Sequence, residues 1–311
     1  MMTGTVSEAK RPLVLELKGN SLDDGPGIRT AVFFKGCPLD CVWCHNPESK
    51  HVEAELSVSL ADCIGCATCK KVCPQKAADP AQPGIVDRGR CVRCFKCTES
   101  CPPKALQRVG EPMPMEDIIK KCALDKPFYN VSGGGVTLTG GEPTMFTDWV
   151  GELAKRLTEE GIRVHIETCG MFNYEKVREK LLPYVSSIYM DIKIADREAH
   201  KKYCGVYNDV ILENFRRLVA DSAEMGFSFL PRTPLIPEIT DTDENLSAIM
   251  RLYKETGVTR TELLPYNPTW YGKTEKLGIS VDEALRDVKH WQSSEKLEHC
   301  KDIFRREGIE C

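Results

Sequence analysis

The sequence predicts an α/β fold: a parallel sheet built from βαβ units, with a small cysteine-rich domain inserted after the first of those strands. Three observations predict it. Short apolar runs alternate with amphipathic runs over most of the 311 residues, the pattern of strand–helix–strand units. About a hundred residues separate the first of these strands from the next, too many for a loop without structure of its own. Eleven of the sixteen cysteines fall between residues 37 and 101, inside that gap.

Each element has its own justification. Strands are expected over 30–35 (TAVFFK), 136–139 (VTLT), 163–168 (RVHIET), 187–193 (SIYMDIK), 227–233 (FSFLPRT) and 259–266 (TRTELLPY), and an additional N-terminal strand over 13–19. Helices are expected over 148–160, 174–182, 210–225 and 243–256. In the first of these Val150, Leu153, Ala154 and Leu157 repeat at the three-to-four-residue spacing of one helix face. The sheet-forming part then comprises 1–55 and 109–311, and the inserted domain 56–108.

Composition narrows the class. Hydrophobic residues make up 41% and charged residues 28%, and 46 acidic residues against 42 basic ones leave a net charge of -4. With a mean hydropathy of -0.31, this is a globular profile with no basic excess for nucleic acid. No run of 18 apolar residues suggests a membrane span. The opening MMTGTVSEAKRP contains no apolar leader, so a cytoplasmic location and no membrane partner are expected. In a reducing cytosol so many cysteines point away from disulfides.

Their spacing points to metal. Cys63-x2-Cys66-x2-Cys69-x3-Cys73-Pro74 recurs 28 residues later as Cys91-x2-Cys94-x2-Cys97-x3-Cys101-Pro102. This is the bacterial ferredoxin run, in which the fourth cysteine of each run ligates the other run's cluster. One [4Fe–4S] cluster is therefore expected on Cys63, Cys66, Cys69 and Cys101, and a second on Cys91, Cys94, Cys97 and Cys73. A third group, Cys37-x3-Cys41-x2-Cys44, has only three thiols. On a cube it would leave one iron open to a substrate or cofactor; on zinc, His45 is the nearest fourth ligand. Cys122, Cys169, Cys204, Cys300 and Cys311 lack ligand spacing and are expected to be ordinary thiols.

In parallel α/β folds the chemistry sits at the carboxyl ends of the strands. The residues that would meet there are the Cys37 group, Thr139–Pro143, Glu167-Thr168, Met190–Lys193, Arg232 and Tyr266-Asn267.

Together these residues carry a resemblance. GCPLDCVWCHNPE (36–48) resembles the cluster loop of radical S-adenosylmethionine (SAM) enzymes. With DGPGIR (24–29), SGGGVTLTGGEP (132–143) and MDIK (190–193), the chain is similar along nearly its whole length to the activating enzymes of glycyl radical enzymes. The doubled run resembles the subgroup carrying a two-cluster insert, which includes the isethionate sulfite-lyase and choline trimethylamine-lyase activators. The resemblance implies a partial (β/α)6 TIM-like barrel with a small inserted bacterial-ferredoxin-like α+β domain. It implies three [4Fe–4S] clusters, SAM and a monovalent cation as cofactors. A glycyl radical enzyme is the implied protein substrate, and reduced flavodoxin or ferredoxin the electron donor. SAM, bound through the open iron and cleaved reductively, would give a 5′-deoxyadenosyl radical that takes hydrogen from a glycine of the partner.

The resemblance also implies roles. Trp43 lies near the adenine. Gly140, Gly141 and Glu142 meet the methionine part, with Glu142 or neighbouring carbonyls accepting from the ammonium. Asp191, Ile192 and Lys193 contact the methionyl carboxylate and ribose, Lys193 being counted among the catalytic groups. Glu167, Thr168 and Asp191 offer a cation site. Asn267 stands where the family often has histidine. Asp24 and Arg29 hold the partner's glycine loop at the rim. The competing readings are a radical SAM enzyme acting on a small molecule, which DGPGIR disfavours, and an electron carrier, which leaves the Cys37 group without purpose.

Overall fold

The computed structural model describes residues 11–311; the start of the chain, where no leader is expected, lies outside the described residues. Nine strands are described: β1 (Val14–Ser21), β2 (Arg29–Phe34), β3 (Glu55–Val58), β4 (Leu106–Val109), β5 (Gly135–Gly140), β6 (Val164–Thr168), β7 (Ser187–Asp191), β8 (Ser228–Pro234) and β9 (Glu262–Leu264). The main sheet has the order β1-β2-β5-β6-β7-β8-β9. β1 pairs antiparallel with β2, and every other neighbour is parallel. Six parallel strands in chain order, with β1 added at one edge, are what a partial (β/α)6 barrel requires. Five of β5's six residues are buried, as expected of a parallel strand covered on both faces.

The helices are α1 (Thr68–Val72), α2 (Lys96–Glu99), α3 (Met115–Leu124), α4 (Lys126–Ser132), α5 (Thr147–Glu159), α6 (Tyr174–Lys180), α7 (Arg197–Cys204), α8 (Asp209–Met225), α9 (Asp243–Thr256), α10 (Trp270–Leu277) and α11 (Ser294–Arg305). α5 buries Val150, Leu153, Ala154 and Leu157 on one face. α8 and α9 do the same with Ile211, Phe215 and Leu218, and with Leu246, Ile249 and Leu252. These faces and the strands form one large core.

The six parallel strands and the N-terminal strand lie where the apolar runs predict them, and so do four of the helices. The last strand is shorter than 259–266, because Pro265 ends it and Arg260 pairs instead with Glu310 near the C-terminus. Helices α3 and α4, before β5, and α10 and α11, after β9, carry no pattern read from the sequence.

Residues 55–109 form a separate small body. β3 and β4 pair antiparallel from Glu55↔Val109 to Val58↔Leu106, closing the segment at its two ends. Its own core comprises Leu56, Val58, Ile85, Val86, Leu106 and several cysteines. The 28-residue repeat is written in the backbone. Positive φ recurs at Gly65 and Arg93, at Ala67 and Phe95, and at Lys76 and Lys104. Lys76 N–H donates to Cys73 C=O and Lys104 N–H to Cys101 C=O, both at 3.2 Å. Lys35, fully buried at the end of β2, ties this body to the sheet: its Nζ donates to Glu48 C=O and pairs with Glu55 Oε2 at 2.8 Å. Arg88 adds hydrogen bonds to Leu56 C=O and, on α10, Lys276 C=O.

Candidate active site

A cavity of about 530 Å³ opens at the carboxyl ends of the parallel strands. Cys37, Cys41 and Cys44 line it together. Their loop hangs from β2 through Gly36 N–H to Ser49 C=O (2.7 Å) and Cys37 N–H to Lys50 C=O (3.0 Å). Burial pushes the Cys44 thiol up to about 12, with Cys41 adding to the shift. Such a sulfur becomes a thiolate only beside a compensating cation, which an iron would supply. Trp43, buried and packed against Tyr203, faces the same cavity.

The glycine pair ending β5 permits a close approach. Gly140 has φ +111, and a Cβ there would lie 2.3 Å from Phe34 N; a Cβ at Gly141 would lie 2.1 Å from Gly36 C=O. The turn thus presses against the root of the cysteine loop while lining the cavity. Glu142 does not reach the cavity. Its carboxylate is fully buried: Oε1 accepts from Thr144 N–H, Thr144 Oγ1 and Thr168 Oγ1, and Oε2 accepts from Cys169 N–H at 2.7 Å. This corrects the expectation that its carboxylate meets an ammonium group: its donors are already internal, and it clamps the end of β6 to the turn after β5.

The cavity floor is a charged network. Arg232 donates to Glu167 Oε1 at 2.6 Å and to Asp191 Oδ1 at 3.1 Å. Lys193 pairs with Asp191 Oδ2 at 2.8 Å, and Thr139 Oγ1 donates to Glu167 Oε2. Burial alone would raise the Asp191 carboxyl, but Lys193 and Arg232 outweigh it and lower its pKa to about 2. Glu167 is raised by burial, which Arg232 only partly offsets. Between the two carboxylates assigned to a monovalent cation, the positive charge is therefore Arg232's own guanidinium. Thr168, the third member of that set, spends its hydroxyl on Glu142. Arg232 was legible only as one polar strand end among several, yet it is the bridging group.

Two further expectations are corrected. Ile192 is buried in the core, its N–H bonded to Arg232 C=O; alternation along β7 turns it away from Asp191. Arg29 is buried at the start of β2, at the opposite end of the sheet from the rim. Its guanidinium donates to Thr137 Oγ1 and to the carbonyls of Pro26 and Val136, and burial lowers its pKa to about 10. It fastens the DGPGIR loop beneath the site. Asp24 does line the cavity, accepting from Ser21 Oγ. Asn267 also lines it, its Oδ1 held by Thr269 N–H.

In the small body the eight cysteines face two separate cavities. One is lined by Cys63, Cys66, Cys69 and Cys101, the other by Cys73, Cys91, Cys94 and Cys97. Among the described residues no three His, Cys, Asp or Glu side chains converge closely enough to hold a single metal ion. A cube differs in needing its thiolates spread over four irons.

Residues 31–250 match the family described as the Radical SAM superfamily. The chain belongs to that superfamily. It is 39% identical to a trans-4-hydroxy-L-proline dehydratase activating enzyme of Clostridioides difficile, covering 94% of this chain and 96% of that one. It is 36% identical to an indoleacetate decarboxylase activating enzyme of Tractidigestivibacter scatoligenes, over 97% and 96%. It is also 36% identical to an isethionate sulfite-lyase activating enzyme of Desulfovibrio desulfuricans, over 91% and 94%. Within the superfamily this radical SAM protein stands among the activating enzymes of glycyl radical enzymes. Membership brings a [4Fe–4S] cluster and SAM as cofactors. No described helix is long and apolar enough to cross a membrane.

Proposed function

We propose that Cys37, Cys41 and Cys44 hold the [4Fe–4S] cluster that binds SAM, and that this site activates a partner by removing hydrogen from one of its glycines. The observation that carries the reading is the meeting, in one cavity, of a three-cysteine loop, a close-packed glycine turn and a floor of two carboxylates bridged by Arg232, with Lys193 paired to one of them. Bound together, the reduced cluster and SAM supply a 5′-deoxyadenosyl radical for that hydrogen transfer.

The chain's own residues bind, orient and exclude water. Lys193 and Arg232 are the cations available to the methionyl carboxylate. The backbone of Gly140 and Gly141 receives the methionine part, and Trp43 offers a ring to the adenine. Asn267, its Oδ1 engaged, offers its amide N–H groups to ribose or adenine. A monovalent cation beside the sulfonium would share Glu167 and Asp191 with Arg232. Asp24, facing the cavity, is the candidate contact for the partner's glycine loop.

The segment 56–108 is read as a ferredoxin-like domain with two further [4Fe–4S] clusters, one on each crossed cysteine set. The separate cavities of those two sets support this. Cys91 also borders a cleft shared with His51, Glu55 and Leu277. The Cys91 set is thus the one bordered by α10, whereas the cavity of the Cys63 set is lined by the small body alone, an order suited to relaying electrons inward from reduced flavodoxin or ferredoxin. The relatives' partners span a decarboxylase, a dehydratase and a sulfite-lyase, so their common step is what transfers to this chain.

Anaerobically reconstituted protein reduced with dithionite should convert SAM to 5′-deoxyadenosine and methionine, and Cys41→Ala should not. With a glycyl radical enzyme from the same genome, a glycyl EPR doublet should appear. SAM cleavage without any partner radical, but with a modified small molecule, would favour the small-molecule reading. Replacing Cys66 and Cys94 should abolish flavodoxin-driven turnover and spare dithionite-driven turnover if the insert relays electrons.

A further inference from the structure

Beyond β8 and β9 two rim loops leave the sheet. The ladder between the strands ends at Pro234↔Leu264, and one more bond, from Leu235 N–H to Leu264 C=O at 2.8 Å, closes it. Ile236 of the first loop and Pro265, Tyr266 and Asn267 of the second line the cavity. The first loop is a closed turn. Ile236 C=O accepts from the N–H groups of Ile239, Thr240 and Asp241, and Asp241 Oδ1 takes the N–H of Glu238 at 2.8 Å. The second loop is held from outside. Tyr266 N–H donates to Gln292 Oε1 at 3.0 Å, its C=O accepts from Gln292 N–H at 3.3 Å, and its hydroxyl donates to Val288 C=O at 2.8 Å. The other end of the Gln292 amide reaches the first loop, where Nε2 donates to Asp241 Oδ2 at 3.0 Å. Among the described residues no hydrogen bond joins 236–242 to 265–269 directly, so Gln292 spans the gap.

We propose that Gln292 is a positioning residue that clasps the two rim loops and so holds Ile236 and Asn267 in place to receive SAM. This rests on the reading that SAM reaches Asn267. A backbone N–H only donates and a carboxylate only accepts, so the amide fits between Tyr266 and Asp241 in one orientation. Asp241 is buried, and water does not readily replace the lost donor. Gln292 is itself anchored, because the next residue, Ser293, caps α11 by accepting from Lys296 N–H at 3.1 Å. Gln292 does not line the cavity. Its effect is therefore on loop order: loops held before binding cost less to order when the ligand arrives.

The test reads SAM affinity by equilibrium dialysis on full-length, anaerobically reconstituted protein, alongside the kinetics of SAM cleavage. Gln292→Leu keeps the bulk and removes the bonds. It should weaken SAM binding about three- to ten-fold and raise KM alike, while kcat at saturating SAM stays within about two-fold of wild type. Gln292→Glu sets a carboxylate against Asp241, and Asp241→Asn sets an amide donor against the Gln292 amide, so each alone should weaken binding. Combined, they reverse the bond, the new amide donating to the new carboxylate, and affinity should return toward wild type. A clasp with a merely structural role would lower the melting midpoint and leave SAM affinity unmoved. That result in Gln292→Leu with wild-type iron content, or a double variant binding no tighter than its singles, would overturn the proposal. Should Gln292→Leu fail to load iron, the swapped pair decides. Asn267→Ala separates the underlying reading. Binding weakened by Asn267→Ala but not by Gln292→Leu refutes the clasp alone, and binding unchanged by Asn267→Ala means that SAM does not reach this rim.

Discussion

Arg232→Met removes the one guanidinium that pairs with both Glu167 and Asp191. The Arg232 side chain is only 9% exposed, and its carboxylate partners only 13% and 21%, so water replaces little of the lost interaction. Removing one member of a buried ion network typically costs about 3–5 kcal/mol, because the remaining charge is left uncompensated. Unfolding entropies scale with length, and for 311 residues that loss corresponds to a melting midpoint lower by about 5–8 °C. The deficit should also depend on pH. Burial already raises the folded pKa of Glu167 above 4.5 with Arg232 present, and removing Arg232 raises it further. A carboxyl with a raised folded pKa destabilises the fold fully above that pKa and not at all below its unfolded value. The variant should therefore recover stability relative to wild type as pH falls from 8 toward 4.5. Arg232→Lys, which keeps the charge but reaches one carboxylate, should fall between the two. Thermal melts of anaerobic, reconstituted protein at pH 8 and pH 5 provide the assay. A midpoint within a degree of wild type, or a deficit equal at both pH values, would refute the reasoning.

Glu142→Gln replaces one carboxylate oxygen with a donor that faces other donors. It should cost about 2–3 kcal/mol, with SAM affinity in equilibrium dialysis falling alongside the melting midpoint; weak binding with an intact midpoint would instead mean direct contact with the ligand. Gly140→Ala forces a side chain into left-handed backbone and against Phe34, so about 2–5 kcal/mol should be lost, read as a collapse in soluble yield. Lys35→Met leaves Glu55 without its partner, and limited proteolysis should then cut faster where the small body joins the sheet, near residues 53–55 and 109–111, while the main melting transition shifts little. Asp191 should contribute about 2 kcal/mol to stability above pH 4, because its pKa falls from 3.8 to about 2; Asp191→Asn should remove the corresponding loss of stability between pH 4 and pH 2 in acid titration of the iron-free chain.

Much of this molecule is legible in its sequence because two periodicities are strong. Apolar runs mark the parallel strands, since a strand buried on both faces needs them, and the doubled cysteine spacing marks the small body. The errors arise where a charged residue near a motif could serve either chemistry or architecture. Arg29 and Glu142 lie within or beside the glycine-rich motifs, but each also has partners far along the chain, Val136 and Thr137 for Arg29 and Thr168 and Cys169 for Glu142, which nothing local reports. Ile192 sits between Asp191 and Lys193, yet strand alternation sends it to the other face. Cys169 and Cys204 carry no ligand spacing, yet Cys169 lines the cavity from the end of β6 and Cys204, on α7, accepts through its backbone carbonyl from Asp40 N–H of the cysteine loop.

The crossed cysteine sets of the small body bear on how it is put together. Each cavity draws three thiols from one half of the repeat and one from the other, so neither half can close a four-sulfur site by itself. The halves are interlocked, like two links each passing through its neighbour. If each set holds a cube as proposed, losing one thiol from either half would open one cube and also loosen the loop that completes the other. Iron uptake by this body should be all-or-none, with singly loaded chains scarce at any stage of filling.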